Sequence, residues 1–323
     1  MHQWIIREDK IYNASTDGRV LDVPYLGVKA TENVSILPED YDGWFPFMRF
    51  CYSLGDLGIL SGLFEALKKK YPKLKIAVPS VEYVENTINT EVWGYDKNNP
   101  ALNNIEAVWG NNPYIDKFFK EGEFSSVFTD HDRSYTSLVH DGDMIRSCDE
   151  PLVEQILRRL GFTEDDLQTI DSKPKLYFTP DEIARNTKTI QSKVQERDYG
   201  CLLFASRLEW AKGRWEKDHL LYEAAEKFKG LPVFYFSEFD IKETEWGEYF
   251  PESYNFADMG VSIRDQIYIK RQAKFNISYQ AGITDASNGS GSEMHILCPY
   301  PTIRENCIRG TQYYYLNGDK KKF

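Results

Sequence analysis

The sequence predicts an α/β protein whose sheets are mainly parallel and whose chain folds in two halves. Short apolar runs, typical of buried strands, alternate with segments of helical period. The clearest alternation lies at residues 48–79, which read as strand, turn, helix and strand, and it restarts at residues 199–204 and 275–279. Because parallel strands need a crossover between them, usually a helix, this order favours a parallel sheet. Ligands of such sheets bind at the carboxyl ends of the strands.

The segment at residues 48–79 is the one around which the rest of the chain is interpreted. Its helix is predicted from apolar residues at helical spacing: Leu57, Leu60, Leu63, Phe64 and Leu67. The lysines at 68–70 suit the negative end of the helix dipole, and Pro72 cannot continue the helix. Asp56 follows the strand that we predict at residues 48–52. It therefore either caps the helix, as aspartate often does, or takes part in chemistry at the sheet edge.

The composition is that of a protein with two ordinary domains. The chain has 323 residues, 41% hydrophobic and 28% charged, with a formal net charge of −11. We predict domains at 1–175 and 176–323, because a charged linker with Pro174 and Pro180 lies between them. The acidity argues against nucleic acid as a partner. No apolar run reaches the ~18 residues of a membrane span, no signal-peptide pattern is present, and five scattered cysteines fit a reducing compartment. We therefore expect a cytoplasmic protein.

Residues 1–47 are interpreted as an extension in front of the first sheet. Residues 3–30 predict a β-hairpin or small meander, with strands at 4–6 and 20–23 and a turn at 16–18, and residues 31–47 predict a polar loop. The elements predicted in the rest of the first half are a helix at 81–88, strands at 105–109 and 124–128, and an amphipathic helix at 149–162.

The second half repeats the strand-and-helix alternation. A turn of small and cationic residues, ASRLEWAKGRW, follows the strand at 199–204. Backbone amides and positive charge at such a turn suit a diphosphate, whose charge they neutralise. The later elements are a helix at 219–228, a strand at 231–236, a helix at 261–273, a strand at 275–279 and a small-residue stretch at 280–293. Within that stretch, residues 287–292 are alternatively interpreted as a surface loop. The aromatic residues at 240–257 are expected either to stack on a base or to pack inside the domain.

These stretches resemble the ADP-heptose:lipopolysaccharide heptosyltransferase family in their order and spacing. SLGDLGILSGLFEALKKKYPKLKI is similar to that family's motif S-x-G-D, which precedes a leucine-rich helix ending in K-x-x-Y/F-P. ASRLEWAKGRW is similar to its S-R-x-x-x-K-x-W segment, and residues 280–299 are similar to its glycine turn D-T-G-x-x-H-x-A-x-x-x-x-x-P. The resemblance covers roughly residues 48–300. It implies the GT-B fold, in which two Rossmann-like domains face a central cleft.

The resemblance also implies an activity and the residues that carry it. The activity is metal-independent, inverting transfer of a sugar from a nucleotide diphosphate to an acceptor hydroxyl, with no cofactor. Asp56 would be the catalytic base, kept ionised by the positive end of the helix dipole. The implied donor-binding residues are Ser206, Arg207, Lys212, Glu238, Gln280, Ala281, Gly282 and Asp285. The implied acceptor-binding residues are Ser53, Gly55, His131, Asp132 and Arg133.

The chain departs from the family pattern at the glycine turn. Gln280, Ala281 and Asp285 stand where the family has aspartate, threonine and histidine, which leaves the identity of the sugar open. Asp130 and Asp132 form a D-x-D pattern, by which metal-dependent transferases hold a divalent cation. A transferase that modifies a nucleic-acid base and an inactive nucleotide-sugar-binding module are further alternatives.

Overall fold

The chain folds into two units. A computed structural model describes residues 4–7, 10–13, 29–30, 40–48, 54–87, 104–124, 126–129, 151–204, 219–237, 239–289, 291–298, 308–315 and 318–322. Contacts group Met1–Ser53 with Leu60–Ser172, and Leu54–Ile59 with Lys173–Phe323. This division falls after Ser172, and it assigns one short segment of the first half to the second unit. Within the described ranges, no helix is long and apolar enough to cross a bilayer.

The described part of the first unit contains one antiparallel pair and one parallel sheet. The pair joins β1 (Trp4–Arg7) to β2 (Lys10–Asn13). The second strand and the turn that we predicted for this hairpin, at 20–23 and 16–18, lie outside the described residues. The sheet strands are β3 (Lys29–Ala30), β4 (Trp44–Met48), β5 (Lys75–Pro79), β6 (Lys117–Phe119) and β7 (Ser126–Thr129). Their order across the sheet is β3-β7-β4-β5-β6, and all of them are parallel.

Helices cover this sheet and supply much of its core. They are α1 (Leu54–Lys70), α2 (Val81–Thr87), α3 (Asn104–Trp109), α4 (Leu152–Arg159) and α5 (Glu164–Thr169). Phe64 of α1 packs edge-on against Phe47, with ring centroids 6.1 Å apart, and against Trp109 at 5.2 Å. Just beyond α1, the buried hydroxyl of Tyr71 donates a hydrogen bond of 2.5 Å to the carbonyl of Leu160. The predictions of α1, α2, α4 and β5 are confirmed.

The strand predicted at residues 48–52 starts earlier than expected, at Trp44. Residues 44–47 were expected to be a loop, but they form most of β4, and the residues after Met48 in the predicted strand lie outside the described ranges. The loop was inferred because the stretch 31–47 is mostly polar and contains Gly43 and Pro46 near its end. Proline has no amide hydrogen to donate, but Pro46 is the last residue of β4 that pairs with β5, and pairing with β7 begins at Phe47.

The strand predicted at residues 105–109 is also wrong, because this run forms helix α3. Ile105, Val108 and Trp109 are fully buried, at the i, i+3 and i+4 positions of one helix face. A short apolar run fits either period, and only its packing partners decide between them.

The second unit is built on a seven-stranded sheet in its described residues. The strands are β8 (Gly200–Leu203), β9 (Val233–Phe236), β10 (Ser253–Asn255), β11 (Phe275–Tyr279), β12 (Glu293–Cys298), β13 (Thr311–Tyr315) and β14 (Lys320–Lys322). Their order is β10-β9-β8-β11-β12-β13-β14, and every pair is parallel except β13 with β14. The prediction of an α/β protein with parallel sheets is therefore confirmed.

Helices alternate with the strands of the second unit. They are α6 (Pro180–Val194), α7 (Tyr222–Lys227), α8 (Glu245–Tyr249), α9 (Phe256–Met259), α10 (Ile263–Gln272) and α11 (Gly282–Ser287). Capping boxes begin α6 and α10, at Thr179 with Glu182 and at Ser262 with Asp265. Trp246, with Phe250 and Phe256, is fully buried, so these aromatic residues of the 240–257 stretch pack inside the unit.

Candidate active site

The strand order of the second unit defines a binding edge. The chain runs from β8 outward to β9 and β10, then returns to the other side of β8 and continues through β11, β12 and β13. The direction of winding therefore reverses between β8 and β11. In open parallel sheets, ligands bind in the crevice outside the carboxyl ends of the strands at such a reversal. The segments that follow β8 and β11 are the two in which we predicted diphosphate binding.

The segment after β11 enters a short helix with no break. The backbone amide of Gln280 donates a hydrogen bond of 2.9 Å to the carbonyl of Leu297 on β12, and the Gln280 side chain is buried. Ala281 precedes α11 and offers no side-chain hydrogen bond to cap it. The stretch 287–292, where a surface loop was one interpretation, begins with two buried residues, Ser287 and Asn288. The side-chain amide of Asn288 donates a hydrogen bond of 2.7 Å to the hydroxyl of Thr311. That interpretation is wrong for Ser287 and Asn288.

The first turn of α1 packs directly on the first turn of α11. A Cβ atom added to Gly282 would lie 2.9 Å from the backbone nitrogen of Gly55. A Cβ added to Gly55 would lie 2.8 Å from the Cα of Gly282 and 2.9 Å from Oδ2 of Asp285. One turn further along, a Cβ at Gly58 would lie 2.6 Å from the Cα of Ala286. Only glycine permits this approach, so the glycines of the S-L-G-D-L-G run have a packing role.

Asp56 is half-buried in the first turn of α1. The helix begins two residues earlier, at Leu54, so the interpretation of Asp56 as the N-cap is wrong. Its neighbour Gly55 is buried against α11, beside the buried carboxylate of Asp285. The second unit therefore brings together Gly55, Gly282 and Asp285, three of the residues predicted from the resemblance, and Asp56 follows Gly55 in the same helical turn.

The first unit has a reversal of its own. From β4 the chain proceeds to β5 and β6 on one side, and β7 returns to pair with β4 on the other. Asp56 follows β4, and the predicted acceptor residues His131, Asp132 and Arg133 follow β7. Because β4 and β7 are parallel neighbours, their carboxyl ends lie side by side in this sheet.

Eight of the predicted site residues lie outside the described residues, and their roles stay predictions. They are Ser53, His131, Asp132, Arg133, Ser206, Arg207, Lys212 and Glu238. The D-x-D pair, Asp130 and Asp132, lies outside as well. Across the described part of the chain, no three His, Cys, Asp or Glu residues are grouped as a metal would need.

A buried polar column beneath this edge was missed at the level of sequence. Asn276, Ser278 and Gln280 alternate along β11 and its end, and they share one face of the strand with the side chain of Lys270 from α10. Burial lowers the pKa of Lys270 to about 8 and raises that of the neighbouring Cys201 thiol to about 12. The polar alternation in FNISYQ was a signal, but polar positions of a strand ordinarily predict exposure.

The fold is similar to that of two solved glycosyltransferases. Comparison with solved structures finds a glycosyl transferase family 9 protein from Veillonella parvula DSM 2008, with a TM-score of 0.53 and 12% sequence identity over 87% of each chain. It also finds E. coli ADP-heptose LPS heptosyltransferase II, with a TM-score of 0.50 and 12% identity over 83% of this chain and 89% of that one. No protein-family model matches the sequence, and no curated protein matches it. The predicted resemblance to heptosyltransferases is thus confirmed for the fold.

Proposed function

We propose that this protein is a glycosyltransferase that moves a sugar from a nucleoside-diphosphate donor to an acceptor hydroxyl, with inversion and without a metal ion. The observation that carries this proposal is the contact between the first turns of α1 and α11. It joins the helix that bears the candidate base, Asp56, to the turn at Gly282, which follows β11 at the binding edge. The shared fold with two glycosyltransferases supports the same class of reaction.

Asp56 acts as the general base in this proposal. The acceptor oxygen attacks the anomeric carbon of the donor, and the bond from that carbon to the diphosphate oxygen breaks, leaving its electron pair on the diphosphate. The acceptor proton passes to a carboxylate oxygen of Asp56 as the new bond forms. The position of Asp56 in the first turn of α1 favours its ionised form, because the helix amides present positive charge there.

The departing diphosphate is held by the second unit. Ser206, Arg207 and Lys212 follow β8, Glu238 follows β9, and the turn from Gln280 follows β11. Because these strands are parallel neighbours, their carboxyl ends meet at one edge. The buried carboxylate of Asp285, in the position of the family's histidine, distinguishes this donor site from that of a heptosyltransferase.

The first experiment identifies the donor. The chain is screened for thermal stabilisation by a panel of nucleoside-diphosphate sugars, since a ligand at 100 times its dissociation constant adds roughly 2.7 kcal/mol to the free energy of unfolding. A hit is then followed with candidate acceptors in a transfer assay, with and without EDTA. Turnover that EDTA abolishes and Mn²⁺ restores would refute metal independence and favour the D-x-D alternative. A panel without a hit would refute the proposed activity.

The second experiment tests the base. Asp56→Asn should lower kcat by about 100-fold or more, because a general base contributes on the order of 10²–10⁴ to a rate, while donor affinity stays within about twofold. Glu65→Gln, on the same helix and paired with Lys69 at 2.8 Å, is the matched control and should keep full turnover. If Asp56→Asn also keeps its turnover, Asp56 is not the base.

A further inference from the structure

Lys270 of α10 is buried beneath the binding edge of the second unit. Its side chain is 1% exposed, and its ammonium group makes one hydrogen bond among the described residues, of 3.4 Å to the hydroxyl of Ser278. None of the described carboxylates forms an ion pair with it. Burial of an ammonium group with one long hydrogen bond and no opposite charge costs several kcal/mol of folding free energy. This cost suggests that Lys270 has a functional role.

The direction of the side chain follows from two contacts. The backbone carbonyl of Lys270 accepts a hydrogen bond of 2.9 Å from the side-chain amide of Asn276, near the start of β11. Its ammonium group contacts Ser278, which lies ~7 Å further along the strand. The side chain therefore extends toward the carboxyl end of β11, and the next position on that face is Gln280, the first residue after the strand.

We infer that Lys270 is a positioning residue that supplies positive charge, from below the sheet edge, to the diphosphate of a donor bound at the ends of β8 and β11. This inference rests on the proposed function and assigns Lys270 no contact with the reacting atoms. A diphosphate at that edge gives the buried ammonium group the negative charge that none of the described carboxylates supplies by an ion pair. The interaction acts through a region of low dielectric constant, where charges are screened less than in water.

Protonation of Lys270 should therefore be coupled to binding. With its pKa lowered to about 8 by burial, Lys270 begins to lose its proton just above neutral pH in the ligand-free protein. A bound diphosphate favours the charged form and raises that pKa. Affinity is then highest below about pH 8 and falls as the pH rises, by tenfold for each unit that the ligand adds to the pKa.

Charged and titratable groups of β8, α6 and α11 lie around Lys270. On β8 the facing group is the thiol of Cys201, whose pKa is raised to about 12. On α6, Arg185 and Glu182 are paired with Asp265 and Arg264 of α10, at 2.5 and 2.6 Å. On α11, the acidic residue is Asp285, which is buried in the first turn of that helix.

The test compares Lys270→Met with Lys274→Met. Both changes remove one positive charge, but Lys274 is exposed and paired with Asp198 at 2.5 Å. Binding of ADP, GDP, UDP and CDP is measured by calorimetry at about pH 7 and about pH 9, each in two buffers of different ionisation enthalpy. For the diphosphate that binds, we expect Lys270→Met to weaken affinity roughly tenfold at about pH 7 and to abolish both the pH dependence and the proton uptake. Lys274→Met should match the unchanged protein.

Each outcome decides between the two proposals. If the unchanged protein binds a diphosphate and Lys270→Met binds it equally well, the role of Lys270 is refuted while the proposed function stands. If none of the four diphosphates binds the unchanged protein, both fall. Should Lys270→Met fail to fold, the unchanged protein still carries the test, because binding without proton uptake at about pH 8 refutes the inference.

Discussion

The contact between α1 and α11 predicts that Gly58→Ala is destabilising, although alanine is the better helix former. In the interior of a helix, replacing glycine by alanine ordinarily gains about 1 kcal/mol. Here the new Cβ would lie 2.6 Å from the Cα, 2.7 Å from the Cβ and 3.1 Å from the backbone nitrogen of Ala286. Ordinary carbon contacts lie at about 3.5–4.0 Å, so the two helices must separate by about 1 Å.

The magnitude follows from the two opposing terms. Overpacking of a close contact costs about 1–3 kcal/mol, and here a backbone atom, which cannot rotate away, is the obstacle. After subtraction of the gain in helix propensity, we expect a net loss of up to about 2 kcal/mol. Because α11 begins at Gly282, its displacement should also weaken binding of the nucleoside diphosphate several-fold.

Three proteins are compared: the unchanged chain, Gly58→Ala, and Gly58→Ala combined with Ala286→Gly. Calorimetric unfolding measures the change in stability, and titration with the diphosphate measures the change in affinity. The double variant removes the Cβ of Ala286 but leaves its Cα in place, so it should recover only part of the loss. If Gly58→Ala alone is more stable by about 1 kcal/mol, the two helices are not in the tight contact described, and the reasoning fails.

Two further predictions concern buried polar groups, Tyr71 in the first unit and Lys270 in the second. Tyr71→Phe removes the 2.5 Å hydrogen bond to the buried carbonyl of Leu160 and should cost about 1–2 kcal/mol in urea unfolding. Tyr41→Phe, whose hydroxyl donates to the Trp44 carbonyl at an exposed site, is its control and should cost under about 0.5 kcal/mol; equal losses would contradict this. Burial lowers the pKa of Lys270 to about 8 in the folded protein, whereas in the unfolded chain its pKa has the ordinary value of 10.5. The stability of the unchanged protein relative to Lys270→Met should therefore rise between these pH values, by on the order of 3 kcal/mol, and parallel stability curves would refute the burial of a charge.

Elements with a strong local period were predictable from the sequence. In the segments of α1, α4 and α10, apolar residues recur at helical spacing over two turns or more. The structure has a helix at all three places. Residues 105–109 and 44–47 were not predictable in the same way. A run of five residues is compatible with either period, and an aromatic run that contains Pro46 becomes a strand only because β5 and β7 pair with it.

The sequence by itself determined the strongly periodic elements, such as α1 and α10, and with them the α/β class and the resemblance to a glycosyltransferase. Local chemistry suffices for this, since side-chain period, caps and turn residues act over a few positions. Only the tertiary structure decided which distant segments meet. In the structure, Gly55 lies against Gly282, and Asp56 lies in the first turn of α1 rather than at its cap. Lys270 is buried below the edge between β8 and β11. These features depend on strand order and on close approach between backbones, which no stretch of neighbouring residues encodes.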